Sequence, residues 1–164
     1  MIASSGVEGI SFDDCILGLD IASTLGWGVV EGPNYESGEM TFESATRLPE
    51  LRIFLQCLIR HHRPALIVAE EVFINPRQST KVLLHMHGVM LELVSHCPSA
   101  VDYIGNTEAK NMIAGHGGMT AQDKKNGAMV RALALHGFSV DGTDAADGMA
   151  IALTMRKKLF DRLK

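Results

Sequence analysis

Residues Cys15 to Val30, CILGLDIASTLGWGVV, decide how the chain is read. Ile16-Leu17-Gly18-Leu19 is a short apolar run of the kind buried on both faces of a sheet, and it ends on an acid, Asp20. Ala22-Ser23-Thr24 turns the chain. Leu25, Trp27 and Val29 then alternate with Gly26, Gly28 and Val30, as a returning strand does. A carboxylate at the end of a central strand is costly to bury unless a cation meets it. An Asp that caps its own turn through its side chain is the plainer account, and for one Asp alone it is the better one.

Working outward, Glu31-Gly32-Pro33-Asn34 is a turn, and Tyr35 to Phe42 a weaker third strand, so the chain opens as an antiparallel meander. From about Arg47 to His62, Leu51, Phe54, Leu55, Leu58 and Ile59 recur at helical spacing, and Arg63-Pro64 stops that helix. Ala65 to Ala69 is a second buried strand, ending on Glu70-Glu71. A polar loop, Phe73 to Ser79, leads into a long helix from about Thr80 to Ser95. Its apolar residues are too broadly spread for one core-facing stripe, so it is either buried all round or paired with another subunit. Ala100 to Ile104 is a last short strand and Thr107 to Ile113 a short helix. Thr120 and Asp123 open a further helix expected to run to about Leu135, ended by Gly137. Thr143 caps the final helix. The expected fold is α/β, one domain over 1–164 with a flexible leader over about 1–14, built on a five-stranded mixed sheet with helices on both faces.

Composition narrows the class. With 46% hydrophobic and 21% charged residues in 164, the chain is an ordinary globular domain. No apolar run nears the roughly 18 residues that span a bilayer. The first dozen residues lack a basic start and an apolar signal core, which points away from secretion. Three widely spaced cysteines, Cys15, Cys57 and Cys97, in apolar surroundings read as reduced core thiols of a cytoplasmic protein. The seven histidines are scattered, no Cys/His spacing suggests zinc, and His61-His62 fall at a helix end where a cation is favoured anyway. A formal charge of −4 does not advertise nucleic-acid binding, but acids gathered at a metal site lower the total while basic side chains elsewhere still meet phosphate.

The acids gain meaning together. Two buried strands end on Asp20 and Glu70, and carboxyl ends of parallel neighbours form one crevice where ligands bind. Asp144 and Asp147 share a face of the last helix, and Ala145, Ala146, Gly148 and Ala150 let it sit close to the sheet. Four converging carboxylates need divalent cations, and oxygen-only ligation favours Mg²⁺ or Mn²⁺. Against this, Asp144 and Asp147 in a first helical turn stabilise the helix by about 0.3–1 kcal/mol each through its dipole, and Glu70 and Glu71 can simply be solvated.

At this point ILGLDIASTLGWGVV, AEEVFINPRQSTKVLLHMHGV, YIGNTEAKNMIAGHGG and TDAADGMAIAL, in that order, resemble the RuvC-type Holliday junction resolvases of the ribonuclease H-like superfamily. The pattern is closer to divergent viral members than to housekeeping bacterial ones. The resemblance implies a ribonuclease H-like fold, Asp20, Glu70, Asp144 and Asp147 as a tetrad holding two Mg²⁺ (or Mn²⁺), and Lys110 as a catalytic lysine. It places Phe73 near the junction crossover, where base stacking on an aromatic is worth about 1–3 kcal/mol. Lys124 or Lys125 fills a second lysine position, and Arg77 and Lys81 flank the first loop and are placed to bind phosphate. The implied activity is paired symmetric nicking of four-way DNA junctions by a homodimer in the cytoplasm of a bacterium or virus-infected host. A nuclease for flaps, forks or structured RNA is the runner-up. A non-catalytic junction binder is a further alternative, and a small-molecule phosphotransferase lacks room for its second domain.

Overall fold

The computed structural model describes residues 7, 9–72, 79–105, 107–115, 120–125 and 127–161, with the side chains of residues 79, 121 and 125 outside that description. Phe73 and Arg77 therefore lie outside the described residues. Five strands form one sheet: β1 (Ile16–Asp20), β2 (Thr24–Glu31), β3 (Asn34–Thr41), β4 (Leu66–Glu70) and β5 (Ala100–Ile104). Their order is β3-β2-β1-β4-β5. The meander β1-β2-β3 is antiparallel, whereas β4 and β5 continue from β1 in parallel. The sheet is mixed, with helices on both faces, as the pattern predicts.

Period-two alternation divides the sheet into two cores. Leu17, Leu19, Leu25, Val29 and Ile67 face α1 (Arg47–His62) and α2 (Ser79–Val94), where Leu51, Leu55, Met86 and Met90 cover them. Each such fully buried side chain contributes about 1.5–3 kcal/mol. Ile16, Val30, Leu66 and Val68 face the other way, toward α3 (Glu108–Ala114), α5 (Ala128–Leu135) and α6 (Thr143–Asp161). On that second face the central strands carry glycine where a side chain is expected. Gly18 and Gly28 are directly paired, as are Asp20 and Gly26. A Cβ on Gly28 would stand 2.6 Å from the Met149 nitrogen, and one on Gly148 2.5 Å from the Trp27 Cα. Helix α6 thus lies backbone on backbone against β1 and β2, and its residues Ala145 to Met155, Asp147 excepted, are buried.

Three expectations need correction. The helix expected from Thr120 to Leu135 is two, α4 (Ala121–Lys125) and α5, because Gly127 takes a left-handed φ of 69° that a continuous helix cannot contain. Thr143 is the first residue of α6 rather than its cap. The acceptor meeting that first turn is Glu39 on β3, whose Oε2 accepts the Ala145 N–H at 3.3 Å. Cys57 is exposed on α1, unlike buried Cys15, whose thiol burial pushes up to about 11. Before β1, Phe12 packs edge-on against Phe160 at 5.5 Å and lies under the Arg156 guanidinium. Among the described residues no helix is long and apolar enough to cross a membrane.

Candidate active site

Parity places the acids. Asp20 and Glu70 end parallel neighbours that start in register at Ile16 and Leu66, so both carboxylates fall on the α6 face at the carboxyl edge of the sheet. Gly26, the partner of Asp20 on β2, lets α6 begin against that edge. A Cβ on Gly26 would overlap the Asp144 carbonyl and stand 3.1 Å from the Asp144 Cα. Asp144 and Asp147, one turn apart on α6, are thereby delivered to Asp20.

Carboxylate oxygens of Asp20, Asp144 and Asp147 lie within 4.8 Å of one another, an arrangement able to hold a cation. Glu70 is not in that triplet. It lines the same crevice together with Asp20, Asp147, Lys110 and Lys124, walled by Ala109, Met129, Ala150 and Ile151. The apolar wall has an electrostatic consequence. Desolvation, then repulsion from Asp147 and Asp144, pushes the Asp20 carboxyl up to about 6, against Lys124 and Lys110. Desolvation and the Asp20 charge likewise push Glu70 up to about 7. Such a crevice is short of positive charge.

Lys124 meets part of that need. Its Nζ is 2.7 Å from Asp147 Oδ2, 3.1 Å from Asp144 Oδ1 and 3.8 Å from Asp20 Oδ2. Burial pulls its ammonium down, but hydrogen bonding and charge from Asp147, with Asp20 and Asp144, hold it above the usual lysine range. A reciprocal cap fixes the short helix that carries it. Asp123 Oδ2 accepts the Thr120 N–H at 2.8 Å, and Thr120 Oγ1 accepts the Asp123 N–H at 3.1 Å. Of the two adjacent lysines the structure brings Lys124 to the crevice, while the Lys125 side chain lies outside the described residues. Lys110 reaches the crevice from α3. Lys81 is exposed on the first turn of α2.

Glu39 and the sheet glycines are the contributors that motif spacing missed. Glu39 touches the start of α6 from an edge strand, and only the alternation of Gly26 and Gly28 with Trp27 hints that a helix backbone lies there. The donor set is carboxylate oxygen alone and the surroundings stabilise added positive charge, so these residues fit a hard divalent cation.

Comparison with known proteins identifies the family. Residues 16–155 match the family model described as crossover junction endodeoxyribonuclease RuvC. The protein of that name from Sphingopyxis alaskensis is 35% identical over 149 residues, covering 84% of this chain and 94% of the relative. That from Erythrobacter litoralis is 34% identical over 149 residues, covering 84% and 90%. Among solved structures, Thermus thermophilus RuvC in complex with Holliday junction substrate superposes with a TM-score of 0.69 at 18% identity, covering 92% of this chain and 96% of the other. The fowlpox virus resolvase with Holliday junction DNA superposes at 0.57 and 13% identity, covering 88% and 98%. These structural likenesses speak to the fold, and the family match with the two bacterial sequences settles the rest: the chain belongs to the RuvC family.

Proposed function

We propose that the chain is a divalent-cation-dependent endonuclease that resolves four-way DNA junctions by paired nicks. The observation that carries this reading is the crevice that joins Asp20, Glu70, Asp144 and Asp147 with Lys110 and Lys124 at the carboxyl edge of the sheet. Four acids serve as ligands in this reading. Oxygen-only ligation selects Mg²⁺, with Mn²⁺ as substitute. Two such ions, when bound, would supply activation of a water and stabilisation of the leaving oxygen in phosphodiester hydrolysis. The protein's own part is positional. Asp20, fixed at the end of a central strand, would hold the cations together with Asp144, Asp147 and Glu70. Lys110, on the wall of the crevice, offsets charge on the scissile phosphate. Lys124, which bridges Asp144 and Asp147, would be freed by bound divalent charge to meet a phosphate oxygen. Phe73, Arg77, Lys81 and Lys125 stand as the proposed DNA contacts beyond the crevice.

The substrate class follows from the relatives. The bacterial sequences at 34–35% identity carry the name crossover junction endodeoxyribonuclease, and this chain spans nearly all of their length. A homodimer matches the two-fold symmetry of a four-way junction. On α2, Leu84 and Leu91 are each 45% exposed and Gly88 stands between them at helical spacing with open space at its Cα, while the opposite side of the helix is buried. This half-exposed apolar stripe is the proposed dimer face.

The test is incubation of the protein with a labelled four-way junction, with and without Mg²⁺, beside flap and fork substrates. Symmetric nicks that need Mg²⁺ support the reading, and faster cutting of flaps or forks replaces the substrate. Asp20→Asn is expected to abolish nicking and spare junction binding; loss of both shows instead that the acid maintains the fold.

A further inference from the structure

A second group of ligating side chains lies away from the carboxylate crevice. Glu36 on β3 pairs with Val29, which pairs with Leu17 near the start of β1, whereas the crevice lies at Asp20, level with Gly26 and Glu39. Three residues of strand, about 10 Å, separate the two levels. Helix α1 ends at this point in His61 and His62, and Arg63 closes it in a left-handed conformation with its N–H donated to the Ile59 carbonyl. One carboxylate oxygen of Glu36 and one ring nitrogen each from His61 and His62 lie within 4.8 Å of one another. His62 Nε2 stands 3.9 Å from Glu36 Oε2, and the two imidazoles meet edge to face at 4.6 Å.

We propose that Glu36, His61 and His62 form a second cation site, for a borderline first-row transition metal such as Zn²⁺, pinning the end of α1 to edge strand β3. Two imidazoles and a carboxylate suit Zn²⁺ and not Mg²⁺, whose preference is for oxygen alone. Metal–donor bonds of about 2.0–2.1 Å put tetrahedral donors roughly 3.4 Å apart, so the His62–Glu36 pair closes by about half an ångström. The helix C-terminus adds partial negative charge. Arg60 lines the same groove and works against a cation, as does mutual repulsion of the histidines if both are protonated. Cys57 also lines the groove but is outside the three-donor group.

The chain contains a built-in reporter. Its single tryptophan, Trp27, has its ring 5.7 Å from that of His62 and is held over Gly38. Ni²⁺ titrated into the untagged full chain in excess Mg²⁺ is expected to quench Trp27 emission, and Zn²⁺ to restore it by displacement. His61→Ala and Glu36→Gln, both at exposed positions, should each weaken the quenching at least tenfold in Ni²⁺. Asp20→Asn and Cys57→Ser should leave it unchanged. Zn²⁺ should also raise the unfolding temperature of the parent more than that of His61→Ala. Absence of quenching, quenching that survives both His61→Ala and Glu36→Gln, or quenching lost with Asp20→Asn overturns the proposal.

Discussion

Replacing Gly148 with alanine sets two effects of known size against each other. Helix propensity favours the change, since alanine is better than glycine in a helix interior by about 0.8–1.0 kcal/mol. Packing opposes it. The new Cβ would stand 2.5 Å from the Trp27 Cα and nitrogen and 2.7 Å from the Gly26 carbonyl carbon, all backbone atoms of β2 that cannot rotate away. Ordinary contact begins at 3.4 Å, so helix and strand must separate by about 0.9 Å. Overpacking of this kind costs about 1–3 kcal/mol, and a backbone-to-backbone clash belongs at the upper end. The net loss is then about 1–2 kcal/mol, or about 2–8 °C in unfolding temperature for a domain of this size. The functional loss should be larger. Asp147 adjoins Gly148 and Asp144 lies one turn earlier, so both ligands move with the helix away from Asp20. Misplacement of about 1 Å at reacting groups costs on the order of 10²-fold in rate. Urea unfolding and single-turnover nicking of a four-way junction with enzyme in excess measure the two losses separately. A variant as stable as the parent, or one that nicks at the parent's rate, refutes the claim that glycine contact positions the acids.

Three further outcomes follow from the same geometry. Because the folded protein holds protons on Asp20 up to about pH 6 and on Glu70 up to about 7, while the unfolded chain releases them near pH 4, the metal-free fold loses stability as pH rises from about 4 through 7. Asp20→Asn should therefore melt above the parent at pH 8 in chelator, with the gap narrowing below pH 6 and closing toward pH 4; a gap independent of pH counts against the burial of that charge. Asp123→Ala removes the reciprocal cap with Thr120, costing about 1 kcal/mol locally, and should weaken nicking through the displaced Lys124 while barely changing global stability by urea titration. Leu91→Glu places a charge on the exposed stripe of α2 and should leave a folded monomer by sedimentation, with paired nicking replaced by slow single nicks; a dimer that persists moves the interface elsewhere.

Much of this protein is written locally in its chain. Alternation in Leu25 to Val30, helical spacing from Leu51 to Ile59 and the apolar run before Glu70 determine strands and helices, because each depends on a period of 2 or 3.6 that neighbouring residues express. Asp20, Glu70, Asp144 and Asp147 were legible as candidates because they terminate or open such elements. The single-helix reading of Thr120 to Leu135 failed at Gly127, where a left-handed φ outweighs the surrounding helix formers. What only the tertiary structure decided is distance. That Gly26 yields its space to the Asp144 backbone, that Glu39 receives the first turn of α6, and that Lys124 sits 2.7 Å from Asp147 are contacts between residues far apart in the chain. Periodicity assigns a side chain to a face, but which groups meet across that face depends on how closely two backbones approach, and that is set by packing of the whole domain.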